Sequence, residues 1–426
     1  MIDLASSAQG TVAERHAARR AALACMITLA VVLGIGRFAF TPLLPLMLHG
    51  SALGQPQIDI QHGGWLASAN YAGYFVGAVT CAALRVAPAR MVRAGLVATV
   101  LLTLAMGVTS QFWLWAVVRF IAGAVSAWTF VFASQWGLRR LTELGAHGWS
   151  GVIYTGPGVG IVGTGLLVSA AGSYGATVGW IGFGLIAAVL SIVVWPVFWT
   201  APGGASLATG GAITAARQSS PAAGHHASTN HAWHRADAFW LILLYGVPGF
   251  GYIITATFLP VIARHALPGS SWPDLFWPMF GAALIVGALL AARLPAHWDN
   301  RTLLAGCYML QAAGIALGIV WPTAGGFSLG SILIGLPFTA ITLFAMREAR
   351  RLLGDEAAGL MGYATAAYGV GQIVGPLVAA PIAEHTGSFS PALWLAAGTL
   401  LLGAAGLIIV AHMPRGRGGM PDCGCN

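Results

Sequence analysis

Long apolar runs alternate with short polar gaps along this chain. Twelve of the runs reach the length of a membrane crossing, about 20 mainly apolar residues. They fall at 21–48, 62–84, 91–110, 112–137, 149–172, 175–199, 237–262, 274–292, 302–321, 324–346, 357–381 and 389–412. Glycine and proline recur inside them, which a lipid-embedded helix tolerates when neighbouring helices satisfy the freed backbone groups. The pattern predicts an all-α integral membrane protein of twelve transmembrane helices, here called spans one to twelve. The first run is longer than the 7–15 residues of a signal-peptide apolar region, so it reads as span one and not as a cleaved leader.

One gap differs in kind. Residues 200–236, "TAPGGASLATGG…", are small, polar and low in complexity, and read as a flexible cytoplasmic linker. The linker divides the spans six and six. The expected domains are thus a tail at 1–20, a half at 21–199, the linker, a second half at 237–412 and a tail at 413–426.

Composition agrees with lipid as the main solvent: 57% of residues are hydrophobic and 8% charged, against roughly 25% charged in soluble domains. The net charge of +8 comes with 20 basic residues, all of them arginine. They are scattered singly and in pairs between spans, which does not suit nucleic acid. Seventeen fall in alternate gaps and both tails, only Arg264 falls in an opposite gap, and Arg37 and Arg119 lie inside spans. The positive-inside rule makes the arginine-rich side the cytoplasm, with both termini there. Cys25, Cys81 and Cys307 read as small buried hydrophobes. Cys423 and Cys425 form a C-x-C in the tail, and His225, His226, His231 and His234 lie in the linker. Neither group has a spacing that implies fixed ligand geometry, so no metal and no cofactor is expected.

The halves echo each other. "GIGRFAFTPLLP" (34–45) shares its Gly34, Gly36 and Pro45 skeleton with Gly249, Gly251 and Pro260 of "GFGYIITATFLP", 215 residues on. "GVGIVGTG" (158–165) resembles "GVGQIVGP" (369–376), and "GAVTCAALR" (77–85) resembles "GALLAAR" (287–293). With six spans per half, such a repeat runs parallel, about a pseudo-twofold axis along the membrane normal.

Twelve spans, a central linker and two six-helix halves resemble the major facilitator superfamily of secondary transporters. "LWAVVRFIAGAVSA" in span four is similar to that superfamily's arginine motif, with Arg119 and Gly123 in place. "YTGPGVGIVGTG" in span five is similar to its glycine-proline motif, associated with exchangers and exporters. The loop between spans two and three departs from the pattern: "LRVAPARMVR" has no acidic residue to build a charge network. "GIGRFAFTPLLPLM" together with "YGVPGFGYIITATFLPVIAR" resembles the bacterial YbfB/YjiJ-type branch. The resemblance implies a multi-pass protein of the bacterial cytoplasmic membrane, working by alternating access on a small-molecule substrate. A single twelve-helix chain suffices as a monomer.

An arginine inside a span costs about 2.5–3.5 kcal/mol or more at the membrane centre and is a functional candidate by default. Helical rise puts Arg37 in the outer half of span one and Arg119 about 10 Å deep in span four. Asn70 and Tyr74 share a face of span two at similar depth, and Tyr368 and Gln372 share one on span eleven. Thr41 lies one turn beyond Arg37, and Ser126 two turns beyond Arg119. No Asp or Glu falls deep in a span, so neither arginine has an evident carboxylate partner. An anionic substrate would meet that need, because a guanidinium grips a carboxylate with two parallel hydrogen bonds. Arg37, Thr41, Asn70, Tyr74, Arg119, Ser126, Tyr252, Tyr368 and Gln372 are therefore the candidate substrate site. Pro42, Pro45, Gly156, Pro157 and Pro260 are candidate hinges.

The competing readings are structural. Arg37 snorkelling to headgroups, or Arg119 bonded to backbone carbonyls of neighbouring helices, would account for the same residues. Export of small amphipathic compounds is the alternative to carrying an organic anion. Coupling to a proton, exchange against a counter-anion and uniport all remain open. An enzyme is not expected, since no H-E-x-x-H or carboxylate pair occurs. A sensor would need a soluble domain larger than the linker.

Overall fold

The computed structural model describes residues 2–49, 58–171, 174–199, 228–291, 293–295, 297–353 and 357–413. Its elements are helical, and twelve spans can be followed. Span one comprises Ile2–Leu29, a π-helical turn at Ala30–Ile35 and Phe40–His49; span two is Ile60–Thr80; span three Pro88–Val108; span four Phe112–Glu143. Span five is Ser150–Ile153 continued by Gly156–Ala171, and span six is Ala176–Trp199. Spans seven, eight and nine are Ser228–Ala266, Pro273–Ala291 and Asn300–Val320. Span ten is Ala324–Gly335 continued by Phe338–Leu353, and spans eleven and twelve are Ala357–Thr386 and Ser390–His412.

Eleven of these are long and apolar enough to cross a membrane. The twelfth, span two, has the length but a lower mean hydropathy, because Gln61, His62, Ser68, Asn70 and Tyr71 interrupt its apolar run; Ser68, Asn70 and Tyr71 are buried within the protein. Helix extends past several expected boundaries. It covers Ile2 onward in the expected N-terminal tail and runs to Leu353 at the end of span ten. Span seven starts at Ser228, inside the expected linker; residues 200–227 and the C-x-C tail lie outside the described residues.

Local chemistry sets the ends and the breaks. Asp59 caps span two by accepting from the backbone N–H of His62 at 2.7 Å, and Asp299 caps span nine by accepting from that of Arg301 at 2.8 Å. Both replace a missing intrahelical acceptor. Pro88 opens span three at a position where its missing N–H costs nothing. Span five breaks at Tyr154–Thr155, directly before Gly156 and Pro157. Span one breaks at Gly36–Ala39, just before Pro42, whose ring cannot coexist with a helical carbonyl four residues back. Span seven has Thr257 in the place of Pro42, and its helix runs continuously through Pro248 and Pro260, the candidate hinge that matches Pro45.

The two halves meet along three seams: span two against span eleven, span five against span eight, and the Phe40–His49 segment against span seven. Within the first half, spans one and five touch backbone to backbone. A Cβ on Gly34 would strike the backbone of Gly160, so only glycine permits the contact.

The charge network missing from the loop after span two is found at the arginine-rich end of the second half. Arg301 of span nine, 3% exposed, donates to Glu348 of span ten at 2.7 Å, to Asp237 of span seven at 2.8 Å and to the carbonyl of Val410 in span twelve at 3.1 Å. Arg351 and Asn300 complete the shell around Glu348, which is fully buried. Glu348 lies two residues beyond the expected end of span ten at 346; the helix continues past it to Leu353 and folds it into this cluster. Removing one partner of a buried pair leaves the other charge uncompensated, at about 3–5 kcal/mol. Glu348→Gln should therefore lower the melting temperature of the detergent-solubilised protein sharply. Arg139→Gln, which breaks an exposed pair with Glu143, should change it little.

Candidate functional site

The site begins with the broken backbone of span one. Gly36 and Phe38 donate to the carbonyls of Val31 and Leu33, five residues back, at 2.9 Å each. This widened winding leaves the carbonyls of Gly36 and Arg37 without the usual helical donors, and Arg119 supplies them. Its Nη1 donates to Gly36 O and Arg37 O at 3.4 Å, and its Nη2 to Arg37 O at 3.3 Å. The guanidinium also lies 4.6 Å from the centre of the Phe40 ring. Two turns further along span four, Ser126 donates to Val32 O at 3.0 Å. Asn70 ties span two to span four by donating to the carbonyl of Arg119 at 2.8 Å. That approach requires Gly123, where a Cβ would collide with the carbonyl of Asn70.

Arg37 is thereby aimed at the seam between the halves. Its Nη2 donates to the side-chain oxygen of Gln372 at 3.0 Å. Gln372 in turn donates through its amide nitrogen to the Tyr252 hydroxyl. The Arg37 guanidinium lies 4.1 Å from the Tyr74 ring centre and 5.0 Å from that of Tyr71, a cation–π arrangement. Arg37 is 5% exposed, and its Nε has no hydrogen-bond partner. Among the described residues, no ion pair involves Arg37 or Arg119. The charge is thus surrounded by an amide, phenol rings and unused hydrogen-bonding capacity.

Beyond Gln372, the second half presents an aromatic wall. The ring of Tyr368 stacks between those of Tyr245 (5.0 Å, 25°) and Tyr252 (6.0 Å, 22°), and Phe338 meets Tyr252 edge-on at 5.1 Å. Tyr245 donates from its hydroxyl to Thr342 at 3.1 Å. Further hydrogen bonds cross the same seam: Thr41 donates to Ala256 O at 3.0 Å, Ser68 donates to Ile373 O at 2.8 Å, and the Tyr71 and Thr257 hydroxyls lie 3.0 Å apart.

The sequence candidates therefore separate into two groups. Arg37, Tyr74, Tyr252, Tyr368 and Gln372 converge on one place. Thr41, Asn70, Arg119 and Ser126 are engaged with backbone carbonyls, so the structural reading of Arg119 is the one its hydrogen bonds follow. Tyr71, Tyr245, Thr257, Phe338 and Thr342 belong to the region but were not singled out. Tyr71 carried a signal, as a polar residue one position after Asn70 in the least apolar span. The small cavities at Leu259, Ile315 and Phe327 and at Met47, Trp115 and Trp180 lie away from Arg37. Arg37 itself is almost wholly screened from solvent. Arg119→Gln removes donors from two buried carbonyls, at about 1–3 kcal/mol for each group left unsatisfied. It should depress the melting temperature, whereas Tyr74→Phe, which keeps the ring over Arg37, should not.

Comparison with known proteins gives concordant results. The family described as uncharacterised MFS-type transporter YbfB matches residues 29–409. A chloramphenicol resistance protein of Streptomyces lividans is 35% identical over 167 residues, a match covering 36% of this chain and 38% of that protein. The chain thus aligns with well under half the length of this curated relative. Two crystal structures of the nucleoside transporter NupG share the fold, with TM-scores of 0.70 and 0.67 at 15% and 12% identity. They cover 92% and 93% of this chain, and 99% and 100% of theirs.

Proposed function

The chain belongs to the YbfB family of MFS-type transporters, and we propose that within this family it carries a small organic anion, a carboxylate attached to an aromatic or otherwise planar body. It is a multi-pass membrane protein whose family and structural neighbours are transporters, not enzymes. The observation that carries the proposal is Arg37: a buried cation at the seam of the halves, paired only with a neutral amide and ring faces. A carboxylate is the partner such a group lacks. It would take the donors now given to Gln372, together with the unpartnered Nε, in the bidentate geometry that guanidinium favours. The Tyr245–Tyr368–Tyr252 wall suits a flat substrate, because aromatic faces gain from offset stacking.

Transport then follows from the placement of these groups on different halves. Arg37 and Tyr74 belong to the first half, and Gln372, Tyr252 and Tyr368 to the second. A solute bound between them is exposed to one side or the other as the halves rock, with Thr41–Ala256 and Ser68–Ile373 among the contacts made and broken. No acidic side chain pairs with either span arginine among the described residues, so the substrate's own charge, a proton travelling on it or an exchanged counter-anion supplies the coupling. The arginine distribution supports a cytoplasmic-membrane location with the arginine-rich ends inside. A second reading, export of amphipathic compounds, is favoured by the chloramphenicol resistance relative and by the same aromatic wall.

The test is a thermal-shift panel on purified wild type and Arg37→Gln, with aromatic carboxylates, aliphatic carboxylates, chloramphenicol and aromatic amines. A ligand that binds only the folded state stabilises it by about 2.7 kcal/mol at a hundred times its Kd. Aromatic carboxylates should raise the wild-type melting temperature and lose that effect in Arg37→Gln. Stabilisation by neutral or cationic compounds alone, undiminished in the variant, would sink the anion reading and leave the exporter.

A further inference from the structure

The first half ends, on its arginine-rich side, in a feature that the transport site does not use. Arg93, one and a half turns into span three, lies with its guanidinium 4.6 Å from the ring centre of Trp199 and 5.7 Å from that of Trp195, both on span six. The stacking occupies the faces of the guanidinium and leaves its edge donors free. Arg93 is half-buried, its Nε is buried without a partner, and among the described residues no ion pair involves it. Arg90, in the first turn of span three, and Arg85, in the connection before it, are exposed. No Asp or Glu occurs in 60–142 or 144–236, so the segments that bring these arginines together carry no acid to neutralise them.

What lies alongside Arg93 identifies the partner. Spans three and six pack antiparallel, in a register marked by Leu104 against Gly184 and by Ile181 against Gly107. On span three, Arg90, Arg93, Val97 and Leu101 form one stripe at helical spacing, with Val97 and Leu101 exposed. On span six, Trp199, Trp195, Ile192 and Val189 form the matching stripe, and Ile192 and Val189 are exposed as well. The result is a cationic mouth framed by two indoles, opening onto an apolar furrow that rises along the membrane normal. Tryptophan is at home at headgroup depth, and basic sites between helix ends recruit anionic headgroups.

We propose that this furrow is a specific site for an anionic phospholipid of the leaflet on the arginine-rich side. Its headgroup phosphate accepts hydrogen bonds from the edge of Arg93, Arg90 adds charge from one turn away, and the acyl chains lie against Val97, Leu101, Val189 and Ile192. A soluble phosphate would find the cation but not the furrow. The site is about the lipid only and is independent of what the protein carries.

The experiment compares thermal unfolding of the full-length protein in detergent with added dioleoyl phosphatidylglycerol, dioleoyl phosphatidylcholine or inorganic phosphate. Phosphatidylglycerol should raise the melting temperature of wild type more than phosphatidylcholine does, and inorganic phosphate should have no effect. Arg93→Gln should abolish the phosphatidylglycerol excess and leave the phosphatidylcholine response intact. Arg139→Gln, which removes a positive charge elsewhere on the same side, should retain the excess. Should Arg93→Gln fail to fold, Trp199→Leu keeps an apolar side chain at an exposed position and should weaken phosphatidylglycerol binding at least tenfold, read by native mass spectrometry. Equal responses to the two lipids in wild type, a full excess in Arg93→Gln, unweakened binding in Trp199→Leu, or an equal effect of inorganic phosphate would overturn the proposal.

Discussion

The arrangement at the centre of this protein depends on one exchange of hydrogen bonds. Span one gives up regular helix at Gly36–Ala39, and Arg119 of span four satisfies the carbonyls released there. Buried backbone groups without partners are expensive, so the break and the arginine stand or fall together. The break, in turn, aims Arg37 across the seam at Gln372. One buried guanidinium thus maintains the backbone geometry that presents the other.

The two halves share a skeleton but use charge in opposite ways. The first half holds Arg37 at the seam and Arg119 behind it in the broken turn of span one, neither with an acidic partner among the described residues. The second half keeps its middle neutral, with Tyr245, Tyr252, Tyr368 and Gln372, and gathers Asp237, Arg301, Glu348 and Arg351 into a cluster at one end. That cluster joins spans seven, nine and ten and reaches the backbone of span twelve, so it fastens the second half to itself. Gly34 and Gly249 both let a neighbouring backbone approach closely, span five in one half and span eleven in the other, whereas Gly36 and Gly251 meet different spans, three and twelve; the polar residues laid on that frame have diverged.

Much of this was legible in the sequence because lipid enforces it. Crossing length and apolar composition follow from the solvent, and a polar residue such as Gln372 or Tyr252 stands out against apolar neighbours. What stayed hidden were the partners. Arg119, Ser126 and Asn70 bond to backbone carbonyls, and a carbonyl leaves no mark in a sequence. The break in span one was foreshadowed by Pro42, which has no counterpart in span seven, where Thr257 stands; the matched prolines, Pro45 and Pro260, both sit inside unbroken helix. Glu348 escaped notice because it follows the last apolar residues of span ten, where composition says connection and the helix simply continues.

The contact of Gly34 with Gly160 has a kinematic consequence. With no side chain between them, spans one and five touch main chain to main chain, so a shift of one presses directly on the other. Span five also lines the far seam against span eight. A displacement that begins where Arg37 meets Gln372 thus has a direct main-chain route through span five to the opposite border of the first half.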